Sequence, residues 1–331
     1  MRVAVLNAGG SDPDQEFTSF AGLPGDPGHA PVNFHAFAAC TGGGFYRKTS
    51  SIPEEIGEVI LLIRADVKGA WKTLTELKTA GKKVAISWKE TGSHQLAKQL
   101  NDPGSIEWFK KLCTDAHGAI ATTPESLSLY QACGAKIAEY IPTPYPVESP
   151  DWDFSVPIPN RRGIFIGTRE WDVPSRNHLA AIATAATLKQ PMTVFNVDGR
   201  SGRSKIAALG IDRLEVIEDR LPYAEYLSVM ARHRIVWQLD SSCVPGQVAG
   251  DAALCRIPSV GGHGAVDREL FPIMTGGGRS TDMLLEIASR LLNDTRIYTS
   301  EVKVAASLAR HKISFSVITE RLYRFFCRLA E

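Results

Sequence analysis

The chain has 331 residues, of which 44% are hydrophobic and 22% are charged, and its formal net charge is +1. This length exceeds what one hydrophobic core usually serves, so we expect two domains. The near-neutral charge argues against a protein that holds nucleic acid mainly by neutralising phosphates. No run of about 18 apolar residues and no signal-peptide pattern occurs, so we expect a cytoplasmic protein without a membrane span.

The cysteines include no C-x-x-C pair and have no histidine partner at zinc spacing. Glycine and proline are spread along the chain rather than pooled in one tract. We therefore expect reduced thiols in a chain that folds on its own hydrophobic core.

Short β-branched runs alternate with helical periods over the first 140 residues. The predicted strands are 3–7, 59–63, 83–88 and 119–122, and the predicted helices are 69–80, 95–100, 106–116 and 124–132. Such alternation predicts a parallel sheet that is covered by helices on both faces.

A proline-rich stretch interrupts this alternation. Residues 141–150 hold four prolines, so the stretch is neither a helix interior nor a central strand. A semi-rigid linker is the simplest interpretation, and it places a domain boundary near residues 145–160. We therefore predict domains at residues 1–150 and 151–331.

The alternation resumes in the second half. The predicted strands are 163–166, 192–197, 213–217, 235–239 and 258–261, and the predicted helices are 176–187, 204–209, 223–232 and 248–254. The segment 300–330 predicts one or two helices, with these buried positions: Ile313, Phe315, Val317, Leu322 and Phe326.

Ligands of open α/β sheets bind beyond the carboxyl ends of the strands, which directs attention to the loops there. Gly9 and Gly10 follow the first strand, where paired glycines let the backbone approach a ligand and offer amide groups to an anion. A tight turn with positive φ explains them equally well. The full G-x-G-x-x-G pattern is absent, which argues against a dinucleotide site.

The loop 88–94 places Lys89, Glu90 and His94 after a predicted strand. A cation, a carboxylate and an imidazole together could bind an acceptor hydroxyl or a sugar, and His94 is a candidate general base. The alternative is a solvated Lys89–Glu90 pair and a histidine that merely starts a helix.

The loop 167–177 carries Arg169 and Arg176 between a strand and a helix. Two guanidinium groups beside a helix start could bind a diphosphate. Farther along, Asp251 lies on a predicted helix that is followed by a short strand and the turn Gly261-Gly262. This acid could accept hydrogen bonds from a ribose diol, or it could be a capping or surface residue.

Several segments together resemble the GT-B glycosyltransferases, particularly the large retaining family that uses sugar nucleotides. The segments are 119–123, 141–144, 164–169, 221–226, 235–239 and 250–262. The resemblance implies an α/β fold with two Rossmann-like domains facing each other across a cleft, and C-terminal helices that pack back on the first domain.

The family often carries two glutamates separated by seven residues, and the corresponding positions here are Cys243 and Asp251. Asp251 keeps a carboxylate with a shorter reach, whereas Cys243 does not. By resemblance, the donor-binding residues are Gly9, Gly10, Arg169, Arg176, Cys243, Asp251, Gly261, Gly262 and His263. Acceptor binding falls to the first domain, through Lys89 and Glu90.

The resemblance implies a retaining transfer from a nucleoside-diphosphate sugar, as co-substrate, to an unknown acceptor. This acceptor is a saccharide, small molecule, protein or nucleic acid. The resemblance also implies that fixed arginines stabilise the departing diphosphate without a metal ion, so we expect no metal and no permanently bound cofactor. Three alternatives remain: a catalytically degenerate nucleotide-sugar-binding protein, a sugar-nucleotide epimerase and a nucleic-acid-modifying glycosyltransferase.

Overall fold

The computed structural model describes residues 1–18, 21–167, 171, 173–196 and 200–329. The chain forms two compact units. The first contains Met1–Ser149, Cys243–Pro245 and the chain from Lys312 onward, and the second contains Pro150–Ser242 and Gly246–His311. The expected second domain, residues 151–331, is therefore too long, because its C-terminal segment and residues 243–245 pack with the first unit.

The described residues form two sets of strands and thirteen α-helices. The strands are β1 Val3–Leu6, β2 Gln15–Glu16, β3 Gly44–Tyr46, β4 Glu58–Ile63, β5 Lys83–Trp88, β6 Gly118–Ala121, β7 Ala138–Tyr140, β8 Ile164–Ile166, β9 Met192–Phe195, β10 Leu214–Ile217, β11 Ile235–Trp237 and β12 Ser259–Val260. The helices are α1 Asn33–Ala39, α2 Val67–Thr79, α3 Ser93–Gln99, α4 Pro103–Asp115, α5 Pro124–Ala132, α6 His178–Ala186, α7 Arg200–Leu209, α8 Tyr223–Ala231, α9 Gln247–Leu254, α10 Ala265–Leu270, α11 Thr281–Asn293, α12 Thr295–Lys312 and α13 Phe315–Arg328.

The first sheet has the order β2-β3-β1-β4-β5-β6-β7. All its neighbouring strands pair in parallel except β2, which pairs antiparallel with β3. The predicted strands are confirmed as β1, β4, β5 and β6. The sequence analysis missed β2, β3 and β7, which have three residues or fewer and too short a pattern to detect.

Side-chain caps explain where two helices of this unit begin. The Asp66 carboxylate accepts a hydrogen bond from the Gly69 backbone N–H at 2.8 Å, and α2 starts directly after Asp66. Asp102 does the same for the N–H of Ser105 at 2.9 Å, at the start of α4. Both helices begin before the predicted start, because the first turn after a cap need not carry apolar residues.

Of the C-terminal helices that the resemblance assigned to the first domain, α13 belongs to the first unit, whereas α12 up to His311 belongs to the second. Four of the five core positions predicted for the C-terminal segment are buried: Ile313, Phe315, Leu322 and Phe326. Val317 is only half-buried, and Ile318 is buried instead. The apolar stripe runs from Phe315 at helical spacing, and this spacing includes Ile318 and excludes Val317.

The second sheet is parallel throughout, with the order β10-β9-β8-β11-β12. Its predicted strands and helices are all present with shifted ends, except that residue 197, the predicted end of β9, lies outside the described residues. The sequence analysis missed α10 and α11. Across the described part of the chain, no helix has both the length and the hydropathy that a membrane crossing requires.

Candidate functional site

The carboxyl ends of the parallel strands define one edge of each sheet, here called the first and the second carboxyl edge. At the first carboxyl edge, the Gly10 N–H donates to the Asn7 carbonyl at 2.9 Å and closes a turn directly after β1. Gly9 has a φ of +70°, and a Cβ built on it would meet no atom within 4 Å. On Gly10, a Cβ would lie 2.2 Å from the Asn7 side-chain nitrogen. Gly9 thus meets both predicted conditions, a turn with positive φ and open space beside the backbone.

Buried polar atoms without a described partner also lie at this edge. Asn7 is fully buried, and no described residue forms a hydrogen bond with either polar atom of its amide. The indole N–H of Trp88, which ends β5, is in the same situation. Buried polar side chains nearly always have hydrogen-bond partners, so these two groups are candidates for contact with a ligand.

The residues that were predicted to bind the acceptor have different environments in the loop after β5. The Lys89 ammonium lies 3.7 Å from a carboxylate oxygen of Asp12. Glu90 is exposed, and its carbonyl accepts a hydrogen bond from the Gln99 side chain at 3.4 Å. His94 is exposed in the first turn of α3. Lys89 therefore faces a cluster formed by other loops, and the position of His94 offers no support for a general base.

That cluster consists of Asp12, His29 and His35, and the sequence analysis did not single it out. The His29 Nε2 lies 3.6 Å from the other carboxylate oxygen of Asp12. The His29 and His35 rings stack with centroids 4.6 Å apart, and Phe45 stacks on His35 at 3.8 Å. Burial and, to a smaller extent, the neighbouring His29 together lower the pKa of His35 to about 4. His35 is therefore a neutral imidazole near pH 7.

The second carboxyl edge holds Arg176, one of the two predicted phosphate ligands. It ends a short 3-10 helix, Pro174–Arg176, and forms an ion pair with Asp240, which follows β11. Asp240 also accepts hydrogen bonds from the backbone N–H and the hydroxyl of Ser242. The other predicted ligand, Arg169, lies outside the described residues. The guanidinium of Arg176 thus already has an anionic partner from the protein.

Asp251 lies on α9 and is 1% exposed. Its carboxylate accepts a hydrogen bond from the Tyr223 hydroxyl at 2.6 Å. The proposed ribose ligand is therefore neither a helix cap nor a surface acid, the two alternatives that the sequence left open. One of its oxygens is held by a tyrosine that begins α8.

The glycine turn after β12 is tightly packed. Gly261 has a φ of +87°, and a Cβ on it would lie 1.9 Å from the Gln238 carbonyl oxygen. A Cβ on Gly262 would lie 2.1 Å from a carboxylate oxygen of Asp267. His263 is half-buried, and its ring packs so near Gly277 that a Cβ there would lie 2.3 Å from it. A larger residue at Gly261 would require the backbone at Gln238 to move, and one at Gly262 would displace the Asp267 carboxylate.

Asp267, which the sequence analysis missed, organises this turn. One carboxylate oxygen accepts hydrogen bonds from Gln238 at 3.0 Å and Ser259 at 3.2 Å, and the other accepts from the Gly264 N–H at 3.1 Å. Burial and, to a smaller extent, the Asp240 carboxylate together raise the pKa of Asp267 to about 7. The sequence does contain a signal for this residue: an acid three residues after Gly264 is the pattern of a helix cap.

Cys243, which the resemblance matched to the first glutamate of the family, has a φ of +50°. It is half-buried and belongs with Val244 and Pro245 to the first unit. Residues with a Cβ rarely adopt this left-handed conformation, so the backbone is strained at this position.

Neither a protein-family model nor a curated protein matches the chain. Solved structures share its fold. HepE of Anabaena, crystallised in complex with UDP and glucose, is 14% identical and has a TM-score of 0.64 over 99% of this chain and 100% of that chain. A glycosyltransferase of Rickettsia africae is 12% identical, with a TM-score of 0.60 over 83% and 77% of the two chains. The α,α-trehalose-6-phosphate synthase of Burkholderia multivorans is 8% identical, with a TM-score of 0.61 over 85% and 73%.

The chain therefore has the fold of GT-B glycosyltransferases, and the predicted α/β class with two parallel-sheet domains is confirmed.

Proposed function

We propose that this chain is a glycosyltransferase that moves a sugar from a nucleoside-diphosphate sugar to an acceptor hydroxyl. The observation that carries the proposal is the extent of the structural likeness: 99% of the chain, including both sheets, shares the fold of a protein that was crystallised with UDP and glucose. We therefore infer that the donor is a UDP-sugar, and that the transfer retains the anomeric configuration.

The second carboxyl edge is the proposed donor site. Backbone amides of the tight turn at Gly261 and Gly262 would contact the diphosphate or the sugar, with His263 beside them. Arg169 and Arg176 would stabilise the charge that grows on the departing diphosphate, so that no metal ion is needed there. Asp251, oriented by Tyr223, would accept hydrogen bonds from the ribose.

The first carboxyl edge is the proposed acceptor side. The open backbone at Gly9 and the buried amide of Asn7 offer hydrogen-bonding groups to a sugar or a phosphate oxygen. Gly9 and Gly10 were also predicted to contact the donor, and a loop at this edge can serve either substrate. Lys89 adds a positive charge.

Ligand-dependent thermal shifts test the donor site directly, because a ligand that binds only the folded state raises its melting temperature. The panel contains UDP, ADP, GDP, CDP and dTDP with the glucose and N-acetylglucosamine conjugates of each. We expect a shift with UDP and UDP-sugars that falls at least tenfold in apparent affinity in Arg169→Ala and Asp251→Asn. Arg290→Ala and Asp282→Asn, two exposed changes on α11, are the matched controls.

A lack of response to every nucleotide would contradict the proposal. Selective UDP-sugar binding without release of UDP in the presence of any saccharide acceptor would favour the non-catalytic alternative instead. One observation points that way: a cysteine, Cys243, stands where the retaining family often has its first glutamate.

A further inference from the structure

Three side chains that lie far apart in sequence meet at the first carboxyl edge. Asp12 follows the glycine turn after β1, His29 precedes α1, and His35 lies on α1. One potential ligand atom from each residue lies within 4.8 Å of the other two. Two imidazoles and one carboxylate form the type of ligand set that binds a zinc ion through three protein groups and leaves a fourth position for water or substrate.

His35 gives the strongest reason to expect a ligand. It is 6% exposed, and no described residue forms a hydrogen bond with its Nε2. The ring is fixed between Phe45 on one face and His29 on the other. A buried imidazole nitrogen without a protein partner costs stability unless a ligand binds it, and imidazole is the commonest metal ligand in proteins.

The neighbouring contacts position the other two ligands. The backbone of His29 is held on both sides by Gln15, which accepts from the His29 N–H at 2.7 Å and donates to its carbonyl at 3.1 Å. The Asp12 carboxylate directs one oxygen toward His29 and the other toward Lys89. The Gln15 contacts thus fix the backbone at His29, and one Asp12 oxygen lies on the side of His29.

We propose that Asp12, His29 and His35 form a binding site for a divalent transition metal of the zinc class, with one coordination position open. The sequence analysis expected no metal because of the family resemblance, and it did not consider these three residues, which converge only in the folded chain. The proposal goes beyond the transferase function and does not depend on it, since the three ligands belong to the first unit and the proposed donor site to the second.

The nearby Lys89 distinguishes this proposal from a simpler one. If the cluster is only an ion-pair network, Lys89 is the cation that Asp12 pairs with, and no metal is needed. If the cluster is a metal site, the Lys89 ammonium is a repulsive charge near the bound cation, and its removal strengthens metal binding. Substitution of Lys89 therefore tightens metal binding if the cluster is a metal site, whereas it only removes an ion pair if the cluster is a network of charges.

Metal affinity of the purified full-length chain tests the proposal. The protein is treated with EDTA, dialysed and titrated with Zn²⁺ in competition with a chromophoric chelator, and Co²⁺ absorption in the visible range reports the coordination. We expect one Zn²⁺ per chain, at least tenfold weaker binding in Asp12→Asn and His29→Gln, and at least threefold tighter binding in Lys89→Met. His311→Gln, an exposed histidine on α12, is the matched control.

His35→Phe provides a further variant in which an apolar ring that can still stack replaces the imidazole, and it should abolish stoichiometric binding while the protein remains folded. Wild-type protein that binds no stoichiometric Zn²⁺ would overturn the proposal. An unchanged affinity in both Asp12→Asn and His29→Gln would do the same. Thermal shifts with UDP-sugars, measured in EDTA, keep this result separate from the test of the transferase function.

Discussion

The two carboxyl edges differ in whether the described residues provide partners for their buried polar side chains. At the second edge the buried acids are bound by the protein itself: Asp240 by Arg176 and Ser242, Asp251 by Tyr223, and Asp267 by Gln238, Ser259 and Gly264. At the first edge, Asn7, His35 and Trp88 have buried polar atoms for which no described residue provides a partner. The acids of the second edge are thus held in place by the protein, whereas the first edge carries buried polar atoms that no described residue satisfies.

Because of this difference, removal of a polar side chain should affect the stability of the fold at one edge and ligand binding at the other. Where the protein satisfies an acid, its removal leaves the partner groups buried without a bond and destabilises the fold. Where a polar group has no protein partner, its removal should stabilise the fold and weaken only the binding of a ligand. The same kind of substitution is therefore expected to have opposite signs at the two edges.

The largest expected effect concerns the ionisation of Asp267. Its folded-state pKa of about 7 exceeds the ordinary value of 3.8, so the folded protein binds more protons than the unfolded chain between these pH values. The free energy of unfolding should therefore fall as pH rises from 4 to 7, by roughly 3 to 4 kcal/mol from this group. Urea denaturation across this range should show that Asp267→Asn lacks this decline, so its deficit relative to wild type shrinks as pH rises.

Asp282→Asn, an exposed change on α11, is the control and should run parallel to wild type at every pH. A constant difference between Asp267→Asn and wild type from pH 4 to 7 would mean that Asp267 is ionised throughout. In that case the hydrogen bonds from Gln238, Ser259 and Gly264 would outweigh its burial.

The ion pair between Arg176 and Asp240 provides the next effect. Their side chains are 19% and 5% exposed, so loss of the carboxylate leaves a mostly buried guanidinium with its main anionic partner removed. Asp240→Asn should lower the free energy of unfolding by about 3 kcal/mol, as measured by urea denaturation at pH 7. Asp151→Asn, an exposed acid of the same unit, should change it by less than about 0.5 kcal/mol. Equal effects in the two variants would show that the pair adds nothing to stability.

Local signals explain how much of this fold is predictable from the sequence. The strand β5 was predicted with its observed ends because its apolar run is bounded by polar residues on both sides. The strands β3 and β7 were missed because three residues carry no pattern, and pairing with a neighbouring strand decides their conformation. Gly261 and Gly262 were identified because a glycine pair directly after a strand indicates a tight turn or a close approach of the backbone.

The site is less predictable because its partners come from distant loops. Asp251 was identified, but the Tyr223 hydroxyl that holds it lies on another helix. His29 and His35 were overlooked since nothing in their spacing indicates that they meet Asp12. Arg176 was predicted to bind phosphate, but the sequence did not indicate that it also forms an ion pair with Asp240. These contacts join residues that lie far apart in the sequence, so they can be identified only once the tertiary fold is known.

At the first edge, Asn7→Leu should raise the free energy of unfolding by about 1 kcal/mol. It replaces a fully buried amide, for which no described residue provides a hydrogen bond, by an apolar group of similar size. The same change should weaken binding of any ligand that the amide contacts. Ser87→Ala in β5 is the matched control, because the Ser87 hydroxyl donates to the Ile120 carbonyl at 2.8 Å and its loss should cost about 1 kcal/mol. A stability loss in Asn7→Leu as large as that in Ser87→Ala would contradict the comparison.

The smallest expected effect lies in the backbone. Cys243 follows β11 in sequence but packs with the first unit, and its φ of +50° is a conformation that glycine adopts readily. Cys243→Gly should raise the free energy of unfolding by about 0.5 kcal/mol, because relief of the strain exceeds the added chain entropy of the unfolded state. Cys243→Ala keeps the Cβ and should show no gain, which separates backbone strain from any role of the thiol. If the alanine variant is stabilised as much as the glycine variant, the gain in the free energy of unfolding comes from removal of the sulfur atom. The thiol, rather than a strained backbone, then destabilises the fold at this position.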